Sequence, residues 1–436
     1  MGIFLATCIL VGLMLFGVPV AFSFAAMTIA LSLAYSVNFQ GLMVTGFWSL
    51  NSVVLLALPF FILTGYLMQG GGLAKRLISF IDSIVGKIPG GLGMSMILTA
   101  GVFGAISGSA TSAVASIGKV MIKPMELRGY SRRYTSALLG VSSLLGILIP
   151  PSITMILFAA VTRQSIAACF ACTIGPGILL IIGLSIANAF LYKHYSKEEQ
   201  SRISNFQQNT ESARISFLKS TVSAIPALLV PVIILGAIYG GFSTPTEAAA
   251  VAVLASFIVG FFIYRDLTFT DFLRSTAEAA ETTGILIIIL LFSLVAGRIM
   301  IMERIPQELT ELVRRTLHEP WIVLLGVNAF LVLAGMIMDD ISVTLIIAPL
   351  LLPLMVDNGV QPVHFAAIVG TSVVIGANSP PTAPILYMAC HIGEVEINKT
   401  VGPAVALMLL VALPVALLTT FIPEISLSIP RALGLL

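Results

Sequence analysis

Charge and tryptophan are scarce in this chain of 436 residues: 10% of the residues are Asp, Glu, Lys or Arg, and only two are Trp. A net charge of +2 does not provide the strongly basic face of a nucleic-acid-binding domain. The four cysteines are too few, and too isolated from histidines, to complete a zinc site. The sequence also lacks the GxxxxGK[ST], HExxH, GxSxG and GxGxxG signatures of soluble nucleotide-using enzymes and hydrolases.

Apolar residues fill the chain instead, at 58% of the sequence, with a mean hydropathy of +1.06. A soluble core does not need that much apolar sequence, so the composition predicts an all-α polytopic membrane protein. The first residues have no basic segment and no cleavage site, which indicates a retained first span and not a signal peptide. We expect spans at 2–17, 19–36, 47–68, 133–160, 166–192, 223–241, 245–264, 279–301, 362–391 and 398–422.

Two further apolar stretches, 92–122 and 320–353, do not fit as simple spans. Each has a central cluster of small or polar residues, at 104–111 and at 338–340. The arms of about 15 residues would be ~22 Å long as helices, against a hydrocarbon core of ~30 Å. Each stretch is therefore predicted to be a re-entrant helical hairpin that enters and leaves the membrane on one side.

Two interruptions of long apolar stretches have nearly the same sequence. Residues 146–152 read Gly-Ile-Leu-Ile-Pro-Pro-Ser, and residues 376–382 read Gly-Ala-Asn-Ser-Pro-Pro-Thr. Paired prolines end a helix, and the carbonyls that they leave free are tolerated in a membrane only beside protein or a watery cavity. Matched breaks in two halves indicate the binding site of a secondary transporter, although a plain kink is the simpler alternative.

These features divide the chain into halves at 1–192 and 221–436, joined by a polar connector at 193–220. Each half has five spans and one hairpin, and an odd number of spans inserts the second half upside down, as inverted repeats. Under a periplasmic N-terminus, sixteen of the 22 basic residues lie on the cytoplasmic side and five lie outside. Basic residues favour the cytoplasm, so this orientation is preferred. Arg298 alone falls within a span.

Several side chains at these features have chemistry that suits transport. Ser109 and Thr111 at the first hairpin tip can hydrogen-bond a polar substrate, or they can serve ordinary small-residue packing. Asp339 and Asp340 at the second tip can bind an ion or cap a helix, and capping is preferred. Arg298 can bind an anionic substrate or extend to the outer surface. The carbonyl end of a broken helix suits Na⁺, and the following N-terminus suits a carboxylate.

The stretches 104–156, 240–250 and 338–353 resemble the large membrane subunit of tripartite ATP-independent periplasmic (TRAP) transporters, and the resemblance extends over essentially the whole chain. It implies an elevator-type, sodium-coupled importer of a carboxylate such as a C4-dicarboxylate, a sialic or other sugar acid, or a keto acid. It also implies a periplasmic binding protein and a separate small four-span subunit as partners. The location implied is the cytoplasmic (inner) membrane of a bacterium or archaeon.

The resemblance also implies which residues form the sites. Sodium ions are expected at Ser107, Gly146, Ile149 and Ser152, and at Gly335, Gly376, Ser379 and Thr382. Substrate contacts are expected from Ser109, Thr111, Pro150, Asn378, Pro380 and Arg298, with Gly108, Asp339 and Asp340 at the hairpin tips. No organic cofactor is expected.

The second break departs from the family pattern at Asn378, Thr382, Ala383 and Pro384, and Arg298 replaces an aromatic residue that is common in the family. These departures affect the expected identity of the substrate more than the expected transport mechanism. A stand-alone sodium- or proton-coupled anion carrier without a binding protein is the alternative function. An intramembrane enzyme is not favoured, because Asp339 and Asp340 are adjacent and would not face each other on a helix.

Overall fold

The computed structural model describes residues 2–86, 88, 90–203, 217–317, 319–379 and 383–436. In these residues the regular structure is entirely helical, as predicted. The first-half helices are α1 (Gly2–Leu15), α2 (Val20–Ala34), α3 (Phe39–Leu50), α4 (Ala57–Gly70), α5 (Leu73–Val85), α6 (Gly91–Ser107), α7 (Ala110–Leu127), α8 (Arg132–Ser143), α9 (Leu145–Leu148), α10 (Ile153–Thr162) and α11 (Ile166–Ile203). A 3₁₀ turn at Val53–Leu56 precedes α4.

The second half contains eleven α-helices among the described residues: α12 (Phe217–Tyr239), α13 (Pro245–Ile258), α14 (Phe269–Met302), α15 (Ile305–Thr316), α16 (Pro320–Gly335), α17 (Asp340–Asp357), α18 (Pro362–Asn378), α19 (Pro384–Gly393), α20 (Ile397–Leu407), α21 (Leu413–Phe421) and α22 (Glu424–Ala432). Two π-helical segments, Val259–Tyr264 and Met408–Ala412, extend α13 and join α20 to α21. Seven described helices are long and apolar enough to span a membrane, or eight if the bent pair at 132–162 is counted as one span.

Left-handed backbone positions recur in the same order in both halves. They occur after α1 and α12, at the turns before α3 and α14, before α5 and α15, before α8 and α18, and after α10 and α19. A left-handed residue ends or redirects a helix, so the two halves turn at equivalent places. The matched pairs, 224 to 232 residues apart, are Gly17 and Gly241, Ser36 and Arg265, Gly72 and Arg304, Gly129 and Gly359, and Arg163 and Glu394. The opposite membrane orientation of the halves stays a prediction.

Both stretches predicted as hairpins contain two helices joined by a short turn. Gly108 (φ +62°) ends α6, and Ser109 has an extended backbone before α7. In the second stretch, Asp339 begins α17 as its N-cap. The second arms run to 127 and 357, beyond the predicted ends at 122 and 353. Insertion of each hairpin from one side of the membrane stays a prediction.

Two predicted span boundaries are wrong, and the connector at 193–220 stays a prediction. Helix α11 continues into this connector as far as Ile203. The span at 47–68 begins at Val53, because Asn51 ends α3 and Ser52 has an extended backbone. The span at 279–301 starts ten residues earlier, because Thr268 and Asp271 form a capping box that begins α14.

The helices pack into two groups, and each group draws on both halves. We define the first helix group as α1–α4 with α12–α14, where α2 packs on α14 and α4 on α13. The second helix group is α6–α11 with α16–α22, where α8 packs on α19 and α20, and α10 on α17. The two predicted hairpins and the two helix breaks all lie in the second helix group.

Candidate transport site

The first break separates α8 and α9 from α10. The axes of 132–148 and 153–162 differ by 43°. Ile149 has an extended backbone there, and it is followed by the paired prolines. Ser152 then begins α10, because its Oγ accepts a hydrogen bond from the Met155 N–H at 3.5 Å. The break therefore exposes main-chain carbonyls and one hydroxyl within a region where almost every side chain is buried.

The tip of the first hairpin packs against this break, backbone against backbone. The Ile153 N–H donates to the Gly108 carbonyl at 3.3 Å, which joins the tip to the start of α10. A Cβ atom on Gly146 would lie 2.8 Å from the Ser109 carbonyl oxygen, and one on Gly104 would lie 2.7 Å from the Gly146 Cα. Only glycine allows these approaches, so the glycines set the distance between hairpin and break.

Oxygen atoms are concentrated where the tip and the break meet. The Ser107 hydroxyl is buried and donates to the Ser109 carbonyl at 3.4 Å. The Ser109 and Thr111 hydroxyls are 2.9 Å apart, with Thr111 exposed. These oxygens and the Ser152 hydroxyl form a group of carbonyl and hydroxyl oxygens. Oxygens of this kind are the ligands that hard cations prefer. Among the described residues no group of three or more His, Cys, Asp or Glu side chains could hold a metal.

The second break repeats this contact between glycines. A Cβ atom on Gly376 would lie 2.6 Å from the Gly335 Cα and 2.4 Å from the Val332 carbonyl oxygen. The first arm of the second hairpin therefore touches the broken helix along its backbone. The Ser379 hydroxyl donates to the Ile375 carbonyl at 2.8 Å, next to the end of α18. Thr382 and Pro380, also predicted for this site, lie outside the described residues.

Asn378 is fully buried at the end of α18 and reaches the other half of the chain. Its Nδ2 donates to the Gly140 carbonyl of α8 at 3.2 Å. Its Oδ1 is buried and has no hydrogen-bond partner among the residues that the structure describes. A buried acceptor without a partner is costly, and such atoms are expected where a ligand supplies the missing contact. This residue therefore joins the second break to α8, which precedes the first break.

The acidic pair at the second hairpin tip has two separate roles in the fold. Asp339 caps α17, accepting from the Ser342 N–H at 3.4 Å and from the Ser342 hydroxyl, so the preferred capping interpretation is confirmed. Asp340 accepts from the Thr154 hydroxyl of α10 at 2.6 Å. The second tip therefore contacts the helix that follows the first break.

Arg298 lies apart from both breaks. Its side chain is exposed and lines a cavity of about 1040 Å³ between the two helix groups. The structure therefore does not bring it together with Ser152 or Asn378.

Sequence reasoning missed Thr154, Gly104, Gly140 and Asn328. Asn328 Oδ1 accepts from the Ser372 and Thr420 hydroxyls at 2.8 and 3.0 Å, which ties α16 to α18 and α21. Asn328 could have been identified from the sequence, because it is the single amide side chain in the apolar stretch 320–335. The other three are small residues whose partners are far away in sequence, and no local pattern identifies them.

Comparison with known sequences identifies the family. Residues 7–425 match the DctM component of the tripartite ATP-independent periplasmic transporters. The C4-dicarboxylate TRAP transporter large permease protein DctM of Pseudomonas aeruginosa is 34% identical, over 87% of each chain. The sialic acid TRAP transporter large permease protein SiaM of Vibrio cholerae is 31% identical over 96% of each chain. An isethionate TRAP transporter permease protein, DctMQ of Oleidesulfovibrio alaskensis, is 33% identical over 94% of this chain, which spans only 63% of that protein.

Solved structures show the same fold at low sequence identity. The YdaH transporter of Alcanivorax borkumensis superposes with a TM-score of 0.63 at 13% identity, covering 89% of this chain and 88% of that one. MtrF of Neisseria gonorrhoeae gives 0.51 at 13% identity, with 87% and 83% covered. The family match and these relatives cover most of the sequence, and the chain belongs to the family of TRAP transporter large permease proteins.

Proposed function

We propose that this chain is the large membrane subunit of a sodium-coupled importer of an organic acid. A periplasmic binding protein delivers the acid, and a separate small four-span subunit supports the large one in the cytoplasmic membrane. Relatives named for C4-dicarboxylate, sialic acid and isethionate all carry acids, which supports an anionic substrate. Sodium is cargo in this proposal and travels with the acid.

The repeated contact between a hairpin and a helix break carries the proposal. At each site a glycine of the hairpin meets a glycine of the broken helix, Gly104 with Gly146 and Gly335 with Gly376. Each break adds a hydroxyl, from Ser152 or Ser379, beside free carbonyl oxygens. Two equivalent oxygen-rich sites support two sodium ions, and the helix N-terminus after each break supports a carboxylate near them.

The packing supports an elevator motion. Both hairpins and both breaks belong to the second helix group, while the first helix group provides a surface along which they can move. A tenfold sodium gradient supplies ~1.4 kcal/mol per ion. A membrane potential of 100 mV adds ~2.3 kcal/mol per net charge moved, so two Na⁺ with one monoanion would use both sources.

Uptake into proteoliposomes tests the proposal. The chain is reconstituted with its small subunit, and its binding protein is added outside with radiolabelled succinate, N-acetylneuraminate or isethionate. An inward sodium gradient should drive accumulation of at least one acid, and an equal choline gradient should not.

Two results separate the alternatives. Sodium-driven uptake that needs no binding protein would support the stand-alone carrier. Equal uptake in sodium and in choline with every acid would contradict sodium coupling.

A further inference from the structure

The cavity between the two helix groups has walls from α3, α10, α14 and α17. Its volume is about 1040 Å³, large enough for an organic acid with its water. Leu42, Val295 and Leu345 are among its apolar residues, and Thr45, Ser49 and Gln307 provide polar contacts. A cavity with apolar walls and a few polar groups is the usual form of a small-molecule site.

Arg163 and Arg298 give this cavity its charge. Both side chains are exposed and line it, and the described residues of its lining include no Asp or Glu. Within the described part of the chain, neither arginine is ion-paired with a carboxylate. Arg163 ends α10 in a left-handed conformation, with φ +57°. The cavity thus has a charge of about +2, since a guanidinium stays protonated in proteins.

The cavity lies near the candidate transport site. Two of its walls are helices that begin at that site, α10 after Ser152 and α17 after Asp339. Ala159 is five residues beyond Thr154, and Leu345 is five residues beyond Asp340. At 1.5 Å per residue, the cavity begins about 7 Å along these helices from the Thr154–Asp340 hydrogen bond.

We infer that Arg163 and Arg298 form a receiving site for a dianionic organic acid on its path to the two helix breaks. The inference rests on the proposed function and narrows its substrate class. Two guanidinium groups without a carboxylate partner are neutralised by two negative charges on one ligand, whereas a monoanion leaves one guanidinium unmatched. Apolar walls strengthen the attraction, because they concentrate the electric field in the cavity.

Ligand binding to the purified complex tests this inference separately from transport. The chain is purified with its small subunit, and thermal shift is measured against succinate, which has two charges, and isethionate, which has one. We expect succinate to bind at least tenfold more tightly. Arg163→Gln and Arg298→Gln should each remove about tenfold of succinate affinity and leave isethionate within about threefold.

Arg304→Gln is the matched control. Arg304 is also exposed and left-handed, with φ +56°, but it does not line the cavity. It should leave binding of both acids unchanged.

Three results would overturn the inference. The first is equal binding of succinate and isethionate to the unaltered complex. The second is normal binding of succinate by both arginine variants. The third is a shift of the thermal unfolding midpoint that depends on the arginines and is produced by phosphatidylglycerol in nanodiscs but not by succinate. That result would assign the arginines to lipid headgroups. Sodium-driven uptake that shows no preference for dianions would contradict this inference but not the proposed function. Binding of dianions without any uptake would contradict the proposed function but not this inference.

Discussion

Thr154 donates a hydrogen bond to Asp340, with 2.6 Å between Oγ1 and Oδ2. Thr154 is the second residue after the Ser152 cap, and Asp340 is the first residue of α17. This bond joins the helix after the first break to the tip of the second hairpin. A bond to a carboxylate in a poorly hydrated region contributes more than one at a surface, on the order of 1.5–3 kcal/mol.

Thr154→Val should therefore weaken the contact between the second hairpin and α10. The variant keeps the shape of the side chain but leaves the Asp340 carboxylate without its donor. We expect a lower thermal unfolding midpoint and at least a threefold lower initial uptake rate in proteoliposomes. Thr154→Ser retains the hydroxyl and should behave nearly like the unaltered protein. A loss in Thr154→Ser without a loss in Thr154→Val would show that the methyl group, and not the hydrogen bond, matters.

Gly376→Ala should separate the second hairpin from the broken helix. The added Cβ would lie 2.4 Å from the Val332 carbonyl oxygen and 2.6 Å from the Gly335 Cα, so backbone atoms would have to move. Such overpacking costs about 1–3 kcal/mol, measured as a lower unfolding midpoint in detergent. Gly326→Ala, on the hairpin arm α16 that contains Gly335 and with nothing within 4 Å of the new Cβ, is the control and should be neutral or mildly stabilising. A normal midpoint for Gly376→Ala would contradict the close packing.

Ser152→Ala and Ser379→Ala should each weaken sodium activation of uptake. Both hydroxyls lie at the helix breaks where sodium is proposed to bind. We expect the half-saturating sodium concentration to rise about tenfold, equivalent to ~1.4 kcal/mol. Ser142→Ala removes a buried hydroxyl that donates to the Leu139 carbonyl away from the break, so it should not change sodium activation. Unaltered sodium curves in both test variants would count against serine ligands.

Asn378→Leu separates a structural role from a ligand-binding role. The substitution removes a buried Oδ1 that has no partner, and the Gly140 carbonyl that Asn378 binds also accepts from the Ser143 hydroxyl at 2.7 Å. We therefore expect an equal or higher unfolding midpoint together with a loss of uptake of at least tenfold. If the midpoint falls in proportion to the uptake, the side chain acts as a structural tie between α8 and α18.

Features with a strong local cause could be predicted from the sequence. The paired prolines end helices by sterics alone, so the first break predicted within residues 146–152 is confirmed, and the structure has it at residues 149–152. Asp339 was recognised as a cap because an N-cap acts within one turn. The predicted start of α14 was wrong, because hydropathy identifies only the apolar part of the helix. The first turn, which begins after Thr268, is polar.

Contacts between residues far apart in the sequence could not be predicted from local sequence patterns. Nothing near Asn378 in the sequence indicates Gly140, which is 238 residues away. Nothing near Arg163 in the sequence indicates Arg298, and the two arginines are related only by the cavity that α10, α14 and α17 line together. Both contacts depend on how helices from the two halves pack, which neither half specifies alone.

The contacts between the halves also determine an order of events during biosynthesis. Thr154 and Gly140 are made early, but their partners Asp340 and Asn378 leave the ribosome about 190 to 240 residues later. Until then, α8 and α10 lack the helices that complete their packing. The membrane must therefore hold the first half in an unfinished arrangement, because its contacts with Asp340 and Asn378 form only after residues 340–378 have been inserted.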